Sequence, residues 1–379
     1  MRRIRVGPSE DVRVSTIELF FDLVFVFTIT QLTSVVTAEP NIVGVLRAFL
    51  IFGNVWWMYG GYAWLTNAVP PREPVLRLFI LVGMAAFLVV ALSIPDAFGD
   101  AGVAFGIGYL VVNLVHTAMF LKSSEETALR SMMKLGPMNI LTALLVLAAG
   151  FTDGALQWAL WTAAFVGHWI TPYLTAVQGF KLRPRHFVER HGLIVLIALG
   201  ESVVAVGLGL RGQDLTGGLV LTSVLGLAVA AAMWWLYFDG EDARAEEALI
   251  GAPDDRVTWL CLYAFGFAFA PILFGIVLLS AGMQGALVGY GVPATPAAAW
   301  FMSSGVASYV AGFCYFRWVL GIGAIGVRAA LAALMLPTAF VGLAVSPEAQ
   351  LATMLALTTA AILVERRVER TPAPAAEAA

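Results

Sequence analysis

The chain has 379 residues, of which 60% are hydrophobic and only 12% are charged. Its formal net charge is −3 and its mean hydropathy is +0.86, a composition that excludes an ordinary soluble globular protein and gives no indication of nucleic-acid binding. The two cysteines, Cys261 and Cys314, lie inside apolar runs, so we expect no disulfide framework, no metal site and no other cofactor.

Apolar runs of about 20 residues, each long enough to cross a hydrocarbon core as a helix, follow one another along the chain. They predict twelve membrane-spanning helices, at residues 15–38, 42–65, 74–94, 102–122, 133–150, 155–178, 188–210, 216–238, 257–281, 297–320, 323–345 and 348–365. The polar/apolar alternation of a membrane β-barrel is absent. The predicted fold class is therefore all-α, a polytopic transmembrane helix bundle.

The basic residues test this number of spans. If the N-terminus is cytoplasmic, all of the 22 Lys and Arg residues except Arg47 and Arg211 fall on the cytoplasmic side, as the positive-inside rule requires. We therefore predict that both termini are cytoplasmic and that the protein is a multi-pass protein of the cell inner membrane, surrounded by membrane lipids. The acidic connection 239–256 is predicted to be a solvated loop or a short surface helix.

The first predicted helix contains two carboxylates, Glu18 and Asp22, in the sequence ELFFDLVFVFTIT. Their spacing of four residues places them on one face of the helix. A charge near the centre of a bilayer costs roughly 2.5–3.5 kcal/mol on insertion scales, so a carboxylate there indicates function. Val26 and Ile29 follow on the same face, and we predict that they form an apolar gate. Glu18 lies nearer the cytoplasmic edge, where it could instead favour the start of the helix.

An acidic helix followed by a Trp-Trp-x-Tyr helix occurs twice in the chain. Asp22 and Glu201 are 179 positions apart, and Trp56-Trp-Met-Tyr59 and Trp234-Trp-Leu-Tyr237 are 178 apart. We predict a 6+6 parallel internal repeat, with residues 1–180 and 181–370 as six-helix membrane units and 371–379 as a disordered tail. The alternative is that both aromatic motifs merely reflect the preference of Trp and Tyr for the membrane interface.

Further polar side chains fall inside predicted spans, and we expect them to form one polar centre. At a rise of about 1.5 Å per residue, five of them lie roughly 8–15 Å from the cytoplasmic ends of their helices. These five are Asp22, His116, Asn139, His168 and Glu201. We predict that Asp22 and Glu201 meet there as equivalent carboxylates, and that an ion or substrate is bound with the help of Glu18, His116, His168 and Asn54. The alternative is ordinary polar contact between packed helices.

Three classes of function are compatible with this pattern. The first is a transporter or channel for a proton or another small ion, which is not an enzyme. The second is a membrane-embedded enzyme or lipid-interacting protein that uses His186, Glu189 and His191 at the cytoplasmic mouth of the seventh span. The third is a membrane scaffold or a sensor of cold and membrane fluidity. A homo-oligomer is compatible with each of them.

Two motifs resemble the low temperature requirement A (LtrA) family of bacterial membrane proteins. The first is Glu18-Leu-Phe-Phe-Asp-Leu-Val-Phe-Val26 with Gln31-Leu32, and the second is Glu189-Arg-His-Gly-Leu193 followed by Leu199-Gly-Glu-Ser202. The resemblance spans most of the chain. It implies a polytopic membrane protein linked to growth in the cold, without an established molecular activity.

Overall fold

The computed structural model describes residues 14–71, 73–121, 126–175, 182–287 and 290–370, and every element in this part of the chain is helical. The α-helices are α1 (Thr16–Ala38), α2 (Ile42–Ala68), α3 (Pro74–Ser93), α4 (Gly102–Leu121), α5 (Glu126–Ala149), α6 (Gly154–Thr175), α7 (Pro184–Gly209), α8 (Gly217–Phe238), α9 (Glu241–Gly251), α10 (Asp254–Cys261), α11 (Phe269–Ala286), α12 (Pro296–Leu320), α13 (Gly326–Met335), α14 (Thr338–Ala344) and α15 (Pro347–Arg370). A π-helical turn, Leu262–Phe267, joins α10 to α11.

The predicted fold class is confirmed, because each of the twelve predicted spans corresponds to a helix or to a consecutive pair of helices. Among the described residues, eleven segments are long and apolar enough to cross a membrane. The helix α6 is not one of these eleven, since Gln157, His168 and its tryptophans lower its hydropathy. The predicted tail 371–379 lies outside the described residues, and the cytoplasmic position of the termini stays a prediction.

The ends of the helices follow the local sequence. Pro74, Pro184 and Pro296 open α3, α7 and α12, where the missing N–H of proline removes no helical hydrogen bond. The side chain of Asn41 caps α2 by accepting hydrogen bonds from the backbone N–H groups of Val43 and Gly44. These local signals explain why the observed boundaries lie close to the predicted ones.

Two internal prolines interrupt spans. Pro337 separates α13 from α14 within the eleventh span. Pro271 follows the π-helical turn, in which the Ala268 N–H donates to the Tyr263 carbonyl. Within this turn, the Gly266 carbonyl accepts a hydrogen bond from the indole of Trp56, at 2.7 Å. This contact ties α2 in the first half of the chain to the ninth span.

Small residues allow α11 and α12 to pack closely. A Cβ atom added at Gly275 would lie 2.5 Å from the Gly305 carbonyl oxygen, and one added at Gly305 would lie 2.5 Å from the Leu279 nitrogen. Close approach of this kind is common between membrane helices. The helix α11 consequently lies at the centre of the bundle, with nearly all of its side chains buried.

The helix α1 packs against α7, and this contact positions the candidate site. Near their starts Arg190 approaches Asp22, and nearer their ends Glu201 approaches Thr30, so α1 and α7 run in the same direction. The acidic connection 239–256 contains the short helix α9, as predicted, but its first residue, Glu241, is fully buried.

Candidate functional site

Four buried ionisable side chains meet between α1 and α7, and we name them the Arg190 cluster: Glu18, Asp22, His186 and Arg190. Each is at most 3% exposed. The predicted spacing is confirmed in that Glu18 and Asp22 share one face of α1 and both contact the same guanidinium group. The helix α2 closes the cluster from a third side through Tyr59, Tyr62 and Thr66.

Asp22 is the most enclosed member of the cluster. Its Oδ1 atom accepts hydrogen bonds from the Tyr59 hydroxyl at 3.0 Å and from Arg190 Nη2 at 3.2 Å. Its Oδ2 atom is buried and has no hydrogen-bond partner among the described residues. A buried carboxylate oxygen without a donor is costly, so this atom is a point at which a proton or a cation would be stabilising.

Glu18 combines the two roles that the sequence left open. Its Oε2 atom accepts hydrogen bonds from the backbone N–H of Ser15 at 2.9 Å and from the Ser15 hydroxyl at 2.7 Å, which forms a capping box at the start of α1. Its Oε1 atom lies 3.4 Å from Arg190 Nη1 and 3.2 Å from His186 Nε2. Glu18 therefore stabilises the start of the helix and also belongs to the charge cluster.

Arg190 is held by more than its two carboxylates. Its Nη1 atom also donates to the Thr66 hydroxyl and to the Tyr62 carbonyl. The guanidinium lies 5.6 Å from the ring centroids of both Phe21 and Tyr59, within the range of cation–π attraction. These contacts fix the position of the one full positive charge in the cluster.

The hydrogen bonds around His186 favour one tautomer. Asn67 Oδ1 accepts from the Arg183 backbone N–H at 2.9 Å, so the Asn67 amide nitrogen faces the other way and donates to His186 Nδ1 at 3.2 Å. His186 Nδ1 is then an acceptor, and the hydrogen on Nε2 points to Glu18. With this neutral tautomer, two ionised carboxylates opposite one guanidinium give the cluster a formal charge of −1.

The predicted meeting of Asp22 and Glu201 is not found in the structure. Glu201 Oε2 accepts a hydrogen bond from the Thr30 hydroxyl, and Thr30 is eight residues, or roughly 12 Å, beyond Asp22 along α1. Because α7 begins at Pro184, Glu201 lies roughly 26 Å from its start, deeper than the sequence indicated. Glu201 Oε1 is buried without a described partner. The two acids therefore occupy separate levels of the bundle.

His168 and Asn54 belong to a second group of polar contacts, among α2, α4, α5 and α6. The Tyr109 hydroxyl lies 2.7 Å from His168 Nε2 and also donates to the Asn54 carbonyl at 2.8 Å. The Thr142 hydroxyl lies 3.3 Å from His168 Nδ1. Both nitrogens of His168 are therefore engaged, whereas the side-chain oxygen of Asn54 has no described partner.

The remaining predicted residues are distributed around these two groups. His116 lines a cavity together with Asn139, away from the Arg190 cluster. Ile29 is fully buried and Val26 is half-buried on α1. The role of Val26 and Ile29 as a gate stays a prediction.

The side chains near the start of α7 point in different directions. His186 binds Glu18, Glu189 is exposed, and His191 Nδ1 lies 2.8 Å from the Phe187 carbonyl oxygen. In the part of the chain that the structure describes, no group of three His, Cys, Asp or Glu side chains could hold a metal ion.

Sequence reasoning did not find a second group of buried charges, which we name the Arg317 cluster: Glu241, Arg317, Arg328 and Glu365. Arg317 binds both glutamates, and its Nε atom lies 3.1 Å from each oxygen of Glu241. Arg328 also contacts both glutamates, and all four carboxylate oxygens are paired. One feature of the sequence indicated this cluster. Its four charges lie towards the ends of separate helices, and charges that become buried when helix ends pack together must be paired.

The missing partner of Asp22 could also have been sought in the sequence. Arg190 lies within the same helix as Glu201, and a buried guanidinium in a membrane helix requires a carboxylate nearby. The spacing of residues along α1 and α7 did not reveal which acid this is, because that depends on the relative register of two helices 168 residues apart.

Comparison with known proteins places the chain in a bacterial context. The sequence model of the bacterial low temperature requirement A protein matches residues 13–364, most of the chain. An uncharacterised protein of Rhizobium meliloti (strain 1021) is 24% identical over 292 residues, covering 74% of this chain and 71% of that relative. No solved structure matches the chain.

Proposed function

The chain belongs to the bacterial low temperature requirement A (LtrA) family of membrane proteins, and we propose that it moves protons or a small monovalent cation across the bacterial inner membrane. The Arg190 cluster would be the site at which this charge is bound. The link of the family to growth at low temperature would then depend on this transport.

One observation carries the proposal: two buried carboxylates share a single guanidinium, and one carboxylate oxygen, Asp22 Oδ2, has no described partner. An uncompensated negative charge is expensive in a membrane interior. Binding of one proton or one monovalent cation removes that charge, and release restores it. The site is therefore suited to binding one proton or one monovalent cation at a time.

The position of the cluster between α1 and α7 fits a duplicated transporter. The Tyr109 hydroxyl of α4 donates to the Asn54 carbonyl of α2, and the Tyr309 hydroxyl of α12 donates to the Met233 carbonyl of α8, both at 2.8 Å. Asn54 and Met233 are 179 positions apart, within one position of the separation of the two Trp-Trp-x-Tyr motifs. These equivalent contacts support the predicted 6+6 repeat, in which a site between the first helices of two units would be suited to alternating access.

The experiment is a flux assay in proteoliposomes. Purified protein is reconstituted with a pH-sensitive dye inside, and proton or Na⁺ and K⁺ gradients are imposed. The Asp22→Asn variant replaces one of the two carboxylates of the cluster by a neutral amide. It should lower the flux at least about tenfold, which corresponds to ~1.4 kcal/mol in the transport barrier. The matched control is Asp239→Asn, because Asp239 is an exposed carboxylate paired with Arg366.

Each outcome decides the matter. Wild-type flux that is retained in Asp239→Asn and lost in Asp22→Asn supports the proposal. Equal flux in Asp22→Asn and the wild-type protein would assign transport, if any, to other residues. Absence of flux for every ion in the wild-type protein would exclude the transport function and leave two classes, the membrane-embedded enzyme or lipid-interacting protein and the scaffold or sensor.

A further inference from the structure

A cavity of about 90 Å³ lies among α2, α4, α5, α6 and the π-helical turn, on the opposite side of α2 from the Arg190 cluster. Its walls are largely aromatic, formed by Trp56, Trp57, Trp64, Trp169, Phe120 and Phe267. Two of these walls are held in place by hydrogen bonds. The Trp56 indole donates to the Gly266 carbonyl, and the Trp57 indole donates to Asn139 Oδ1. Such walls favour a flat ring, which can stack on them.

Two polar side chains of this cavity have a buried atom without a hydrogen-bond partner among the described residues. They are the Thr258 hydroxyl and the Trp169 indole N–H. His116 also lines the cavity, and its ring lies against the backbone of Gly61, with which it interacts. His116 and Thr258 are each 2% exposed. Unpaired buried polar atoms are costly, and two such groups lining one cavity point to a ligand that pairs with them.

The chemistry of these groups selects the ligand. The Trp169 indole can only donate, and the Thr258 hydroxyl offers one further donor. A ligand with more than one acceptor oxygen matches these groups. Among the described residues, no Asp, Glu, Lys or Arg lines the cavity, so a charged ligand would have no counter-ion from them.

An apolar groove borders the cavity at Met132. It lies between α4 and α5 and has a volume of about 520 Å³. Pro137 and Gly136 line it, as do the exposed Leu141 and Met133. A chain of apolar carbons attached to the ring would occupy this groove.

We propose that the cavity binds a neutral amphiphile of the quinone class, a flat ring with carbonyl oxygens, and that its apolar tail lies in the Met132 groove. The site is separate from the Arg190 cluster, so the proposal does not depend on ion transport. Binding alone is proposed, with no chemical step.

Gly60 provides a way to fill the cavity without a collision. It lines the cavity, and a Cβ atom added there would meet no atom within 4 Å. Gly200 is the matched control, because it also lies within a helix and has open space at its Cβ, but it is exposed on the outside of α7. A Gly→Leu change at each position therefore compares a filled cavity with an added lipid-facing side chain.

The experiment titrates purified protein in nanodiscs with a short-chain ubiquinone and follows quenching of tryptophan fluorescence. Wild type and Gly200→Leu should show saturable quenching with the same apparent Kd, and Gly60→Leu should lose it. Trp169→Phe keeps an aromatic ring in the wall but removes the indole N–H donor. The apparent Kd should therefore rise about 3–10-fold, the value of one hydrogen bond. This variant also decides the matter if Gly60→Leu does not fold.

Two results would overturn the proposal. One is quenching that never saturates or that is equal in wild type, Gly60→Leu and Trp169→Phe. The other is displacement of the quinone by tetraphenylphosphonium at similar concentration, which would assign the aromatic walls to an organic cation. Menadione, a quinone without the isoprenoid tail, should bind more weakly than the short-chain ubiquinone, and equal binding would contradict a tail in the Met132 groove.

Discussion

The Arg190 cluster and the Arg317 cluster both join helices that are far apart in the sequence, but their charges are balanced differently. In the Arg317 cluster two buried arginines face two glutamates, Glu241 also pairs with the partly exposed Arg244, and every carboxylate oxygen is paired. In the Arg190 cluster one arginine faces two carboxylates, beside a neutral His186, and Asp22 Oδ2 is unpaired among the described residues.

The two clusters also differ in where their charges lie along the helices. Arg317 lies in the last turn of α12 and Glu241 in the first turn of α9, so these two charges are placed at the helix ends that stabilise them. Asp22 lies in the second turn of α1, roughly 9 Å from its start. A closed network, in which every carboxylate is paired, holds helices together, whereas an open one with an excess carboxylate is suited to binding and releasing a charge.

The largest effect is expected where the closed network loses its central cation. In Arg317→Ala, Glu241 and Glu365 lose one of the two arginines that they share, and we expect the free energy of unfolding to fall by about 3–5 kcal/mol. SDS titration in mixed micelles would measure it. Arg366→Ala is the control, because Arg366 forms an exposed pair with Asp239, worth less than about 1 kcal/mol. Equal losses in the two variants would show that the Arg317 cluster is not a structural lock.

A smaller loss is expected from neutralising one acid of the closed network. Glu365→Gln leaves two arginines opposite Glu241 alone and weakens the contacts of Glu365 with Arg317 and Arg328. Hydrogen bonds to charged groups contribute roughly 1.5–3 kcal/mol, so the free energy of unfolding should fall by about that amount. The same SDS titration measures it, and an unchanged value would contradict a balanced cluster.

The smallest effect on stability is expected from the same chemical change in the open cluster. Asp22→Asn removes the excess negative charge, and its amide can still accept from Tyr59 and Arg190. We expect the free energy of unfolding to change by less than about 1 kcal/mol, because the lost attraction and the removed charge offset one another. This is the variant in which transport should be lost. If Asp22→Asn destabilises the protein as strongly as Glu365→Gln, the two clusters are equivalent and the distinction drawn between them is wrong.

Parts of the Arg190 cluster could be predicted from the sequence, and the reason is local. The four-residue spacing of Glu18 and Asp22 places them on one face of α1 whatever the neighbouring helices are. The pairing with Arg190 could not be predicted in this way, because it requires α1 and α7 to pack side by side at one register. The expected meeting of Asp22 with Glu201 failed for the same reason, since depth counted along single helices does not give their mutual offset.

The cavity beside His116 shows the same limit. His116, Asn139 and Trp169 lie on three different helices, and Thr258 lies on a fourth. Each residue taken singly is an ordinary polar or aromatic member of a membrane helix. Their arrangement around one space depends on Gly60 and on the π-helical turn that precedes Pro271, whose effect is seen only when the helices are assembled.

The sequence by itself determined that this protein is built of membrane-spanning helical segments, where these segments approximately begin and end, and which polar residues lie inside them. The reason is that apolar length and backbone hydrogen bonding within each helix are set by neighbouring residues. Only the tertiary structure decided which charges are paired and which remain open. Pairing depends on the packing and register of helices distant in the chain, and it separates the closed Arg317 cluster from the open Arg190 cluster.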